Sequence, residues 1–388
     1  MTNDVFPIAD YETRLGKVRQ RMAAKGMTGL FLTAGPNQTY LSGLPYTWRS
    51  VTRPSVFVLS LHGDPILIVH KGILTETRAY SWVPEIRTYD KRSQAPIPEI
   101  LQALHSLGLG EGGRIGAELA FELRLDIPFL DFIELQEQLP RVEFVDAGSV
   151  LFEARMRKSE AEITLHRTAC QITGQAFERT FSQAKAGMTE EKIGIMLKVA
   201  MMELGGSQPS VLITSGEGNY NLNSKGPSQR KIEKGDLVWV DAACHVGGYW
   251  SDFSRAGVVG GPSSEQQHAQ RLIHEITMMG MRMVRPGVKV SEIAIAVNAE
   301  LSRLDLPIID HVSGGASRVG HGVGLTQTEL PHIAEYDDTI LQPGMVIAIE
   351  PAVATSYGAF RVEENVVVTE DGHELLSTAP WALWTVAL

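Results

Sequence analysis

Residues 236–257 read DLVWVDAACHVGGYWSDFSRAG and carry two carboxylates, Asp241 and Asp252, on either side of Gly247-Gly248. Two glycines that tolerate positive φ angles make a tight hairpin turn. With the turn there, Val246 faces Tyr249 and the pairing runs back until Ala243 faces Asp252. Asp241 and Asp252 are then diagonal neighbours on one sheet face, within reach of a shared ion. Two carboxylates at that separation repel unless a cation lies between them or one is protonated. A solvated acidic face is the plain alternative. Against it, Asp241 follows Leu237-Val238-Trp239-Val240 and so lies deep in a strand, where an unpaired charge is costly.

Three further residues have comparable potential. His321 is flanked by Gly320 and Gly322 within GHGVGL, so its backbone can approach a site closely and its ring is uncrowded. No Lys-Ser/Thr follows, which excludes a phosphate loop. Glu350 ends the apolar run Met345–Ile349 just before Pro351, at the end of a strand. Glu363 and Glu364 point to opposite faces of the next strand, so only one can join Glu350, while the other is solvated or pairs with Arg361. Oxygen and nitrogen donors without a thiolate suit Mn, Fe, Co or Zn, and a carboxylate-rich set suits a bridged pair of ions.

These residues need strands and helices to position them. The 388-residue chain is 44% hydrophobic and 21% charged, an ordinary globular balance with room for two or three domains. A formal charge of −10 argues against nucleic acid or an anionic membrane surface as the main partner. The two cysteines, Cys170 and Cys244, lack metal-type spacing and point to a reducing compartment. No secretory signal or membrane-length apolar run is visible, so a cytoplasmic location is expected. Residues 8–26 show helical spacing at Tyr11, Leu15, Val18 and Met22; short strand-like runs follow, and alternation continues to about residue 150. Long helices are then expected from Ser159 and Thr189, a third from a Ser264-x-x-Gln267 capping box, and a fourth from Ser291, with β-rich stretches at 236–258, 344–354 and 360–369. The expected domains are 1–155 and 156–388.

Taken together, the Asp241 and Asp252 spacing, GHGVGL, LQPGMVIAIEP and RVEENVVVTEDG resemble the pita-bread metallopeptidases, the family of methionine aminopeptidase, prolidase, aminopeptidase P and the metal-free creatinase. The match spans about 236–372, and FPIADYETRLGKVRQRMAAKGMTGLFLT resembles the N-terminal domain of the creatinase and prolidase branch. The resemblance implies an α/β (α+β) chain: an N-terminal creatinase/prolidase-like α/β domain, then a pita-bread catalytic domain with a curved antiparallel sheet flanked by helices. It implies two divalent metal ions (Mn, Co, Fe or Zn) bound by Asp241, Asp252, His321, Glu350 and Glu363. Asp252 and Glu363 would bridge, and Glu350 would shuttle the proton as a bridging water or hydroxide attacks an amide carbonyl. It further implies a homodimer acting on a dipeptide or other small molecule.

The sequence also departs from that pattern. Family peptidases continue into His-Glu-x-Pro, whereas this chain has Thr328-Glu329-Leu330-Pro331, and the loop from Gly218 to Pro227 lacks the usual histidine. The implied function is Xaa-Pro aminopeptidase or dipeptidase chemistry. The alternative is a metal-dependent non-peptidase of the same fold, a hydrolase of another C–N bond or a lyase. Candidate substrate contacts are Thr328, His332 and Arg361, with Trp48 and Arg49 by analogy to dimers that close a neighbour's site.

Overall fold

A computed structural model of the chain describes residues 5–33, 35–45, 53–91, 93–222, 224–310 and 318–388. Trp48, Arg49 and His311 lie outside the described residues. The chain forms two compact units, Met1–Arg155 and Met156–Leu388.

In the first unit a mixed six-stranded sheet runs in the order Glu85–Tyr89, Ile66–His70, Val56–Ser60, Gly29–Leu32, Gly113–Ala117, Val142–Asp146. Gly29–Leu32 pairs antiparallel with Val56–Ser60 and parallel with Gly113–Ala117. Gly29–Leu32, Val56–Ser60 and Ile66–His70 are buried on both faces, which is why they read as nearly unbroken apolar runs. The helix Ile8–Ala24 buries Tyr11, Leu15, Val18 and Met22, one stripe at helical spacing.

Among its described residues the second unit combines helices with three sheets. The helix Glu160–Phe181 opens on a capping box in which the Ser159 hydroxyl accepts from the Glu162 N–H and the Glu162 carboxylate accepts from the Ser159 N–H. Thr189 caps the helix Glu190–Glu203 through its hydroxyl, which accepts from the Lys192 N–H. One sheet joins Trp384–Val386, Phe253–Val259, Leu237–Val246 and Ser207–Ser215, with Tyr249–Trp250 paired to Leu237–Val246. A second runs Glu329–Ala334, Arg318–Gly322, Val346–Ile349, Glu364–Val368, His373–Leu375, and a third runs Ile308–Asp310, Ala352–Thr355, Gly358–Arg361. Among the described residues these pairings are antiparallel apart from Phe253–Val259 with Trp384–Val386. Along Leu237–Val246, Leu237 and Trp239 enter one core cluster, and Val238, Val240 and Ala242 enter the other. Asp241 therefore projects on the Trp239 side.

Two helix starts differ from expectation. The third long helix is capped by Ser263, whose hydroxyl accepts from the Gln266 N–H at 3.2 Å while Gln266 Oε1 accepts from the Ser263 N–H at 3.0 Å. The run Ser263-Ser264-Glu265-Gln266-Gln267 satisfies the same pattern in two registers one residue apart, and the structure uses the earlier one. The fourth helix, Val290–Leu301, begins before Ser291, whose hydroxyl donates to Asp338 instead of capping.

Ser263→Ala is expected to cost about 1 kcal/mol, whereas Ser264→Ala is expected to cost less than about 0.5 kcal/mol. Chemical denaturation of both variants checks the register, and equal losses or the reverse order would refute it.

Candidate metal centre

The hairpin geometry sets the first two carboxylates. Gly247 and Gly248 have φ of 59° and 91°, and Val246 faces Tyr249 as His245 faces Trp250. The register holds on to Ala242 facing Phe253 and Asp241 facing Ser254. Asp252 falls in the break between Tyr249–Trp250 and Phe253–Val259, where its side chain is free of the ladder's regular packing. The Asn365 side chain replaces that ladder, accepting from the Asp252 N–H at 2.8 Å and donating to its carbonyl. Asp241 and Asp252 are both buried, and each sits close enough to the cluster's other carboxylates to feel their charge.

Around them the second sheet supplies the rest. Asp252, His321 and Glu363 offer ligand atoms that all lie within 4.8 Å of one another. His321 Nε2 is 3.6 Å from Asp252 Oδ2 and 3.5 Å from Glu350 Oε1. Its Nδ1 lies 2.9 Å from the Gly322 carbonyl, which can only accept, so Nδ1 carries the hydrogen and a neutral ring keeps its Nε2 lone pair toward the carboxylates. Gly320 and Gly322 are required here: a Cβ on Gly320 would meet the Ala348 carbonyl at 2.1 Å, and one on Gly322 the Leu330 carbonyl at 2.3 Å.

Electrostatics describe a site short of positive charge. Burial pushes Asp241 up to about 6, opposed by Arg361 and reinforced by Glu350. Burial and then the neighbouring carboxylates push Asp252 and Glu363 well up, and burial pushes His321 down. Asp241 Oδ1 and Glu363 Oε2 are buried without a hydrogen-bond partner. Orphaned carboxylate oxygens converging with an imidazole lone pair are what a hard or borderline divalent cation binds. The donor set fits such ions.

Several candidates take different partners from those expected. Glu364 is neither solvated nor paired with Arg361; both its carboxylate oxygens accept from Arg255 Nη2, at 3.0 and 2.9 Å. Arg255 is 2% exposed, and a buried guanidinium needs a carboxylate that its geometry can grip. Arg361 lies inside the carboxylate cluster, 3.0 Å from Glu350 Oε2 and 3.7 Å from Asp241 Oδ2, with its guanidinium over Trp239. His332 is the cross-strand partner of His321 and contacts Arg318 at 3.1 Å. Thr328 is half-buried in the bend after GHGVGL, but the side chain from that bend that reaches the cluster is Gln327, whose Nε2 donates to Asp252 Oδ1 at 2.8 Å. Nothing in the local sequence marks Gln327, Arg255 or Asn365 as part of the site. In the Gly218–Pro227 loop, Lys225 is committed to Glu190, at 2.8 Å.

The model of metallopeptidase family M24 matches residues 164–370, and that of the creatinase/prolidase N-terminal domain matches residues 14–157. The chain belongs to metallopeptidase family M24. It is accordingly a metallohydrolase of the peptidase kind. This M24 chain is 26% identical to the Xaa-Pro dipeptidase of Pyrococcus horikoshii over 375 residues, covering 94% of this chain and 96% of that one. It is 28% identical to the probable dipeptidase PepE of Mycobacterium tuberculosis over 395 residues, covering 98% of each. Among solved structures, the dipeptidase PepE from Mycobacterium ulcerans superposes with a TM-score of 0.84 at 26% identity, covering 99% of this chain and 100% of that one. The prolidase from Pyrococcus horikoshii OT3 shares the fold, with a TM-score of 0.80 at 24% identity, covering 95% of this chain and 99% of that one.

Two outcomes follow for this M24 centre. An acid held up at about 6 binds more protons folded than unfolded above its ordinary 3.8, so the metal-free protein loses stability as pH rises through that window. Ions that replace those protons bind more strongly over the same window, so saturating Mn²⁺ should raise the unfolding temperature more at about pH 7.5 than at about pH 5. An equal rise at both would contradict it. Second, Glu364→Ala strands a buried Arg255 and should cost about 3–5 kcal/mol. Glu363→Gln removes one repelling carboxylate and should leave metal-free stability intact while weakening metal uptake. Denaturant titration and calorimetry on the two variants check this division of labour, and exchanged phenotypes would disprove it.

Proposed function

We propose that the chain hydrolyses Xaa-Pro dipeptides with a pair of divalent cations held by Asp241, Asp252, His321, Glu350 and Glu363. The supporting observation is the convergence of raised, buried carboxylates on the Nε2 lone pair of His321, with two carboxylate oxygens unpartnered. The substrate class rests on the Xaa-Pro dipeptidase and dipeptidase relatives that align over nearly the whole chain. The ions, from the set Mn, Co, Fe and Zn, would supply Lewis acidity that activates a water and polarises the scissile carbonyl.

The chain's own residues then do the positioning and proton transfer. His321 is fixed by the Gly322 carbonyl so that Nε2 faces the cluster. Arg361 lies 3.0 Å from Glu350 Oε2 and steadies the carboxylate, which would take a proton from the attacking water. The same carboxylate would return that proton to the prolyl nitrogen as the C–N bond breaks, while the remaining hydroxyl of water stays on the carbonyl carbon.

Chelated protein should lose turnover of Xaa-Pro dipeptides and regain it with Mn²⁺ or Co²⁺. Glu350→Gln should lower kcat by a factor on the order of 10²–10⁴. Metal-loaded protein inert on a broad Xaa-Pro panel would overturn the substrate assignment, and turnover of a non-peptide amide in its place would favour the non-peptidase alternative.

A further inference from the structure

We propose that Gln327 is a positioning residue that sets the Asp252 carboxylate so that its two oxygens face two different ions. This rests on the metal-pair reading above. Asn365 already fixes the main chain of Asp252 on both its N–H and its carbonyl, so the backbone end of this side chain has little freedom. What remains is rotation of the carboxylate itself. Gln327 Nε2 donates to Oδ1 at 2.8 Å, while Oδ2 lies 3.6 Å from His321 Nε2. A carboxylate oxygen has more than one lone pair, so Oδ1 can accept from the amide and still hold a cation. Without that donor the carboxylate can turn both oxygens toward a single ion, and the bridge is lost.

Gln327 is itself held in place, as a positioning residue must be. The bend that carries it is pinned at its start, where Gly324 O accepts from the Trp250 N–H at 3.0 Å. Gly324 is packed so closely on the Glu329 carboxylate that a Cβ would lie 2.0 Å from Oε1. That carboxylate in turn takes Lys158 Nζ at 2.8 Å, with both side chains 2% exposed. The buried Lys158–Glu329 pair thus closes the bend at its far end, and Gln327 projects from between two fixed points. A primary amide does not titrate and carries no charge, so it orients Asp252 without competing for the ion or adding to the carboxylate repulsion.

The test is calorimetric titration of Mn²⁺ into metal-free wild type and Gln327→Met, with Gln327→Leu as a second loss of the donor. Electron paramagnetic resonance would report the exchange-coupled Mn²⁺ pair. The expected result is two binding steps in wild type, one of them weakened about 10–100-fold in both variants, the coupled signal reduced, and the metal-free unfolding temperature unchanged. Two unaltered steps with an intact coupled signal would overturn the proposal. So would equal weakening of both steps together with a lower metal-free unfolding temperature, which marks a merely structural residue. Wild type that takes up fewer than two ions would overturn the metal-pair reading itself, a distinct failure visible in the wild-type titration alone.

Discussion

Asp252, Glu350 and Glu363 are buried beside one imidazole with Asp241 buried close by, and like charges so near in a water-poor site repel. Arg361 offsets part of this through Glu350 and Asp241, yet burial still holds Asp241 up at about 6 and raises Asp252 and Glu363 well above the usual carboxylate range. A folded chain keeps such a cluster only if the surrounding packing over-determines it or a cation relieves it. The surrounding packing meets the first condition, and the metal pair proposed above would meet the second.

The supporting contacts reach across long stretches of sequence. Arg255 grips the Glu364 carboxylate and also donates to the Glu363 carbonyl, so the strand bearing one site carboxylate is tied to the hairpin bearing two others. Asn365 supplies the two main-chain hydrogen bonds that Asp252 lacks at the interruption in its strand. Lys158 and Glu329 close the bend after GHGVGL. Each is a buried polar contact that is costly to break one-sidedly, because the surviving partner would be left desolvated. The site's geometry is therefore held by groups that touch no reacting atom.

Much of the site is legible in the residues themselves. The Gly247-Gly248 turn dictates the hairpin register, whereas the choice of Glu363 over Glu364 needs the family resemblance, because Glu363 lies just before the strand Glu364–Val368. Partnership over distance is not legible in the same way. Glu364 finds Arg255 across 109 positions, and nothing local distinguishes that choice from Arg361 three residues away. The Ser263 cap is hidden by a degenerate pattern one residue out of register. Gln327 is overshadowed by Thr328, which occupies the motif position beside it. A side chain's reach into a site depends on the bend's backbone, which Gly324 and Glu329 shape together.

Anomalous X-ray diffraction at the manganese edge, on crystals grown with Mn²⁺, tests the metal-pair centre most directly. Two peaks are expected, one between Asp241 and Asp252 and one beside His321 Nε2, with Asp252 and Glu363 touching both. A single peak, or none at this cluster in crystals that hold Mn²⁺ elsewhere, would contradict it.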